Sequence, residues 1–163
     1  MFVSTQKPED STPFESVGFL LSTLGYVVSR GFHEALEPFD LEPRQFAVLR
    51  AIGFLEGQPQ QAVATRLHIP PSRMVALVDE LEQRGLLERR ADPGDRRVRT
   101  LHLTANGRKA LGDAYEVAVA HESTISGGLS AAERKELLGY LRRIGEALGV
   151  QAGKGHPALR DGR

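Results

Sequence analysis

The run PPSRMVALVDELEQRGLLERRADPGDRRVRTLHLT, residues 70–104, leaves little choice of local structure. In order it spells a helix, a glycine stop, a strand, a turn and a second strand. Over Pro71–Arg84 the apolar residues Met74, Leu77, Val78 and Leu81 recur at three- and four-residue spacing, which predicts a helix with one buried face. Pro71 suits a first helical position, where a missing N–H costs nothing, and Gly85 is the left-handed stop that helix C-termini favour. The other face carries Ser72, Ala76, Asp79 and Gln83, flanked by Arg73 and Val75. Such a helix, small and polar outward at its N-terminal end, fits a DNA major groove.

Leu87–Ala91 and Val98–Leu103 are short strand-like runs. Between them Asp92-Pro93-Gly94-Asp95 supplies turn chemistry: proline presets φ, glycine permits φ > 0, and aspartates bond nearby backbone N–H groups. Arg96 and Arg97 therefore fall at or just beyond a hairpin tip. Arginine is the side chain suited to a narrow, electronegative minor groove. An isolated Arg-Arg pair would read as solvated surface charge; a pair following a two-faced helix reads as a DNA-binding wing.

Through Leu77-Val78-Asp79-Glu80-Leu81-Glu82-Gln83-Arg84-Gly85-Leu86-Leu87, and through Asp95-Arg96-Arg97 leading to Leu103-Thr104, the chain resembles the multiple-antibiotic-resistance regulator (MarR) family of winged helix-turn-helix transcription factors. The resemblance extends over about residues 14–148. It implies a mostly α winged-helix fold of about six helices with a small β-hairpin wing, in an intertwined two-fold dimer. No cofactor, catalytic residue or metal site is expected.

The flanking sequence accommodates that fold. Residues 1–13 read as a disordered arm and 149–163, rich in Gly and basic residues, as a disordered tail. From Phe14 to about Glu37 a long helix fits, with Phe14, Val17, Leu21, Leu24 and Val28 in one stripe and Leu20 and Val27 thickening it; Pro38 ends it. No charged residue occurs from Val17 to Ser29, so this helix needs cover on more than one side. A second helix opens at Glu42-Pro43-Arg44-Gln45 and runs to about Leu55, burying Phe46, Leu49 and Ile52, with Ala47 and Val48 as further candidates. A third spans Gln60–Leu67 with Ala62, Val63 and Leu67 inward. His68 and Pro70 then depart from the family pattern, standing where glycine and a capping Ser or Asp are common. After the wing, Thr104 can cap a helix from Ala105 to about Ile125, and Ser130-Ala131-Ala132-Glu133 is a capping box opening a last helix with Leu137, Leu141, Ile144 and Leu148 at spacings of four, three and four. Segments 14–38 and 105–148 thus form a helical dimerisation region around a DNA-binding unit at 39–104. The alternative is a monomeric bundle that buries the first helix against the last two.

Net charge is +0, yet its distribution is uneven. Residues 1–43 hold two basic and seven acidic side chains, whereas residues 84–109 hold eight basic and three acidic. Phosphate attraction follows the local field rather than the whole-chain total. With no cysteine, disulfides and thiolate metal sites are excluded, as is redox control through cysteine. The longest uncharged apolar run, Ser16–Ser29, is too short to span a bilayer, and the N-terminus has no secretory pattern; the expectation is a cytoplasmic protein with no membrane partner.

By resemblance, Ser72, Arg73, Val75 and Ala76 match the family's major-groove positions. Arg73 reads a guanine edge or lies along phosphates, and Val75 touches a thymine methyl. Arg97, beside Arg96, matches the wing arginine at the minor groove, with Asp95 orienting it and Asp79 expected to pair with Arg97. Arg84, Arg89, Arg90 and Arg99 are backbone-phosphate candidates at best. Family members often sense small aromatic or phenolic anions between the dimerisation helices and the DNA-binding unit; Tyr26, Arg30, His33, Phe46 and Arg50 are the candidates for such a pocket, or else ordinary packing residues.

Two other classes compete. No HExxH, GxSxG, P-loop or GxGxxG motif supports an enzyme, and the five histidines are scattered, with only His33 and His121 able to approach across helices. A winged helix that binds protein rather than DNA is the second, and the retained Arg96-Arg97 tip argues against it.

Overall fold

The computed structural model describes residues 16–150. The N-terminal arm, Phe14 and all but the start of the tail lie outside the described residues. Helix α1 spans Val17–Leu36, capped by Ser16, whose hydroxyl accepts from Phe19 N at 3.2 Å. A 3-10 turn, Glu37–Phe39, holds Pro38, and Asp40 adopts the left-handed region (φ 52°) before α2, Pro43–Phe54. Helix α3 is Gln60–Leu67 and α4 is Pro71–Gln83. Strands β1 (Leu87–Ala91) and β2 (Arg99–Leu103) pair antiparallel, with Leu87 opposite Leu103 and Ala91 opposite Arg99. Helices α5, Ala105–Ser126, and α6, Ala131–Ala147, follow. Among the described residues this is a winged helix with six α-helices and one two-stranded wing. Val98 lies in the wing loop rather than in β2.

Cap chemistry explains the boundaries. Gly85 (φ 66°) ends α4 in a Schellman arrangement, Gly85 N bonding Glu82 O and Leu86 N bonding Leu81 O, each at 2.9 Å. Thr104 accepts from Gly107 N at 3.0 Å and donates to Gly85 O at 2.6 Å, so the start of α5 is fastened to the end of α4. A Cβ at Gly107 would stand 1.7 Å from Leu86 O, which only glycine avoids. Ser130 and Glu133 close the capping box that opens α6.

The core lies inside the winged unit. Leu49, Ile52, Met74, Leu81, Leu87, Leu101 and Leu103 are fully buried, each contributing about 1.5–3 kcal/mol of transfer free energy. Helix α3 buries Val63 and Ala64 rather than Ala62, which is exposed, while Leu67 is half-buried. The α2–α3 connector joins the wing: Leu101 N bonds Gln58 O and Gly57 N bonds Leu101 O, both at 3.0 Å, and Pro59 bridges Thr100.

The outer helices behave differently. Helix α1 contributes only Leu36 to the buried core, and α6 contributes nothing. Val17, Leu20, Leu24, Tyr26 and Val27 on α1, and Leu137, Leu138, Tyr140 and Leu141 on α6, remain exposed. Within one chain α1 rests on α5, where His121 Nε2 meets Val28 O at 3.1 Å, and it is not buried against α6 as a monomeric bundle requires. No helix of the described residues is long and apolar enough to cross a membrane.

Candidate nucleic-acid interface

Helix α4 has the two faces that its periodicity predicts. Met74, Leu77, Val78 and Leu81 are buried, while Ser72, Val75, Ala76 and Gln83 are exposed and Arg73 is half-buried. The helix is reached through a strained turn. His68 caps α3 in the left-handed region (φ 53°), where a side chain crowds its own backbone, and Pro70 provides no side-chain cap for α4. Ile69, buried between them, anchors the turn.

The wing tip is built by its aspartates. Asp92 Oδ1 accepts from Gly94 N at 2.7 Å and Asp95 N at 3.2 Å, and Asp95 Oδ1 accepts from Arg97 N at 2.9 Å. Arg96 and Arg97 are exposed beyond this scaffold, with Arg99 exposed on β2. Among the described residues none of these three forms an ion pair with a carboxylate, so their guanidinium groups stand open to solvent although Asp92 and Asp95 lie in the same turn.

The wing is fastened to α4 by a different arginine from the one expected. Asp79 pairs with Arg89 (Nη2 to Oδ1, 2.5 Å), not with Arg97. The Arg89 guanidinium also contacts Glu82 and donates to Gln60 Oε1 at 3.2 Å, while Arg89 N bonds Glu82 Oε1 at 3.0 Å. Strand alternation accounts for this: Arg89 shares the inward face of β1 with Leu87, whereas Arg97 lies past the strand end. Asp79 and Glu82, three apart on α4, present both carboxylates toward β1. The inward alternation of Leu87 and Arg89 was the signal in the sequence. Arg89 thus spends its guanidinium on side chains of α3 and α4. Arg84 pairs with Asp40 at 3.0 Å and Arg90 with Glu88.

The five pocket candidates do not share one cavity. Phe46 is in the core, edge-on to Phe32 at 5.7 Å. Tyr26 and Arg30 lie together on exposed α1, the guanidinium 6.0 Å from the ring centre and 3.1 Å from Glu34. His33 is exposed, and His121 packs on Phe32 instead. Arg50 alone lines an open cleft of about 340 Å³ between α2 and α5, with Phe54, Glu56, Leu103, Arg108 and Tyr115. There Arg108 donates to Glu56 at 2.7 Å, and His102 stands 3.8 Å from the same carboxylate. The Arg108 hydrogen bond, joined by the charges of Arg108 and His102, holds the Glu56 carboxyl below its ordinary value against the opposing effect of burial. Among the described residues no cluster of three His, Cys, Asp or Glu side chains could hold a metal ion.

Comparison with known proteins agrees with this geometry. The MarR family model matches residues 39–98. A putative transcriptional regulatory protein for the hcr operon of Thauera aromatica is 32% identical over 147 residues, which span 85% of this chain and 89% of that protein. The crystal structure of CouR from Rhodococcus jostii RHA1 bound to p-coumaroyl-CoA is 34% identical, with a TM-score of 0.70 over 83% of this chain and 95% of that one. The transcriptional repressor CouR bound to a 23-mer DNA duplex is similar at 34% identity and TM-score 0.71, over 83% and 99% of the two chains.

Proposed function

Because this chain belongs to the MarR family of transcriptional regulators, we propose that it is a homodimeric repressor that binds a pseudo-palindromic operator and leaves it when a small aromatic or phenolic ligand binds. The observation that carries the DNA reading is the pairing of two exposed surfaces on one rigid unit. The first is the N-terminal half of α4, with Ser72, Arg73, Val75 and Ala76; the second is the wing tip, with Arg96 and Arg97 exposed and in no ion pair among the described residues. Asp79 and Asp95 support that arrangement, the first through Arg89 and the second through Arg97 N. A helix reads base edges, and an arginine-tipped loop beside it follows the neighbouring groove. CouR, similar over most of this chain, is a repressor with a DNA-bound structure, which supports the same sign of regulation here.

Dimerisation is supported by the exposed apolar surface of α1 and α6. A lone chain would leave Val17, Leu20, Leu24, Leu137 and Leu141 in water, whereas a second copy covers them and brings two reading helices to one duplex. The ligand reading is supported by CouR binding p-coumaroyl-CoA and by the α2–α5 cleft, where Arg50 offers a cation, Phe54 and Tyr115 offer flat apolar surface, and Leu103 and Leu111 line the walls. Such a ligand acts by binding the dimer spacing that cannot reach DNA more tightly than the one that can. Tyr26, Arg30 and His33, exposed on α1, join the site only if the second copy folds over them, and Phe46 packs in the core with Phe32.

Titration of genomic DNA fragments at rising salt tests the DNA reading. A steep loss of affinity with salt is expected; salt-independent or absent binding would favour a winged helix that docks on protein. Adding phenolic acids and their thioesters to the bound complex tests the ligand class, with release by at least one of them expected.

A further inference from the structure

Helix α4 rests on the core through Met74, Leu77, Val78 and Leu81, and apolar contacts of this kind resist separation better than they resist rolling or tilting. Its C-terminal end is held differently. Gln45, in the first turn of α2, is buried at 7% exposure, and its amide is engaged at both ends. Gln45 Oε1 accepts from Glu42 N at 3.0 Å and from Arg84 Nη1 at 3.3 Å, and Gln45 Nε2 donates to Glu80 Oε2 at 3.1 Å. The partners fix the amide's orientation, since a flipped amide would face N–H to N–H and oxygen to carboxylate. Arg84 reaches onward to Asp40 at 3.0 Å, the left-handed residue that turns the chain from α1 into α2.

We propose that Gln45 and Arg84 form a joint through which the α1–α2 connector sets the tilt of the DNA-reading helix, making both residues positioning residues for recognition although neither faces the groove. Directional hydrogen bonds around a buried amide select one orientation among several that apolar packing alone would permit. The lever is long. Ser72 lies twelve residues before Arg84, about 18 Å along the helix, so a tilt of about 5° at the joint moves it by about 1.5 Å. That displacement is enough to break a hydrogen bond to a base edge. The joint also ties the reading helix to the connector leaving α1, so a change in how α1 sits is carried to α4 rather than absorbed between them.

The chain contains no cysteine, so S29C and S72C give two unique labels, one on α1 and one at the start of α4, both at exposed serines. Doubly labelled chain, diluted into excess unlabelled chain, reports the α1–α4 distance by single-molecule energy transfer with no DNA or ligand present. The result is therefore independent of whether the DNA and ligand readings hold. The otherwise unaltered chain should give one narrow distance population. Q45L, which keeps the apolar packing, and R84M, which keeps the side-chain stem, should each lose that single population to a broad one while remaining folded by circular dichroism. The Q45E/E80Q exchange reverses the direction of the bond, keeps the Arg84 contact and should restore the narrow population. Should Q45L not fold, R84M, a more accessible site, decides alone. A folded Q45L or R84M with an unchanged narrow population, or an exchange variant that stays broad, overturns the proposal.

Discussion

The Arg89 guanidinium lies 2.5 Å from the Asp79 carboxylate and contacts Glu82 one turn further along the same helix. One side chain of the wing thereby neutralises charge on the DNA-reading helix that would otherwise repel phosphate, and fixes the angle between the two reading surfaces. The carboxylates are themselves half-exposed, so water screens part of the attraction.

Replacing Arg89 by Ala should therefore weaken both stability and DNA binding. The expected loss of stability is about 1–2 kcal/mol, between the values for exposed and buried pairs. Operator affinity should fall on the order of tenfold, equivalent to about 1.4 kcal/mol. Urea unfolding and a binding isotherm on the same preparation check this; an R89A chain with unchanged affinity would mean that the wing holds its place without this contact.

Arg97→Ala should separate the two effects. Arg97 is exposed and its side chain has no carboxylate partner among the described residues, so unfolding should not move. Binding should weaken, and the slope of log affinity against log salt should become shallower by about one if a phosphate contact is lost. Identical slopes for R97A and the unaltered chain would place this arginine away from the duplex.

His68→Gly should stabilise the protein. The φ of 53° at His68 is in the left-handed region, which costs an L-residue on the order of 1 kcal/mol. Glycine removes that cost but gives the unfolded chain about 0.4–1 kcal/mol more freedom to lose, so the net gain should be small, at most about 0.5 kcal/mol. A raised urea midpoint at constant m-value is expected. A lowered midpoint would show that the imidazole makes a compensating contribution.

Glu56 gives a pH dependence of definite sign. Its carboxyl is held below the ordinary value of 4.5, chiefly by the Arg108 hydrogen bond and charge, with His102 adding to the effect. The ionised form is favoured in the native state, so its stabilisation is fully present above 4.5 and is lost as pH falls through the lower native value. The unaltered chain should melt above E56Q at neutral pH, and the gap should close on acidification. A gap that widens in acid would contradict the assignment. The side chain is well exposed, so the effect should be small.

Much of the fold was legible because its signals are local. The period of Met74, Leu77, Val78 and Leu81, the stop at Gly85 and the box at Ser130 and Glu133 each act within a turn or two of helix. The contacts that cross between elements were harder to read. Which arginine meets Asp79 depends on the geometry of β1 against α4, and family resemblance pointed to Arg97 where alternation from Leu87 points to Arg89. Ala62 and Ala64 fit an inward position almost equally by composition, and only packing on the core selects Ala64. The pairing of Gln58 with Leu101 had no sequence signal, since a connector that borrows a strand's hydrogen bonds needs no particular side chains. The ligand candidates share residue type but come from two helices, α1 and α2, and type alone does not make them neighbours: of the five, only Arg50 lines the α2–α5 cleft.

Selecting bound sequences from a randomised DNA pool tests the proposed recognition most directly, because it reports specificity, symmetry and spacing together. Two reading helices and two wings facing one duplex should enrich an imperfect inverted repeat whose half-site centres lie about one helical turn, roughly 10 base pairs, apart. Recovery of no preferred sequence, or of a single asymmetric half-site, would contradict it.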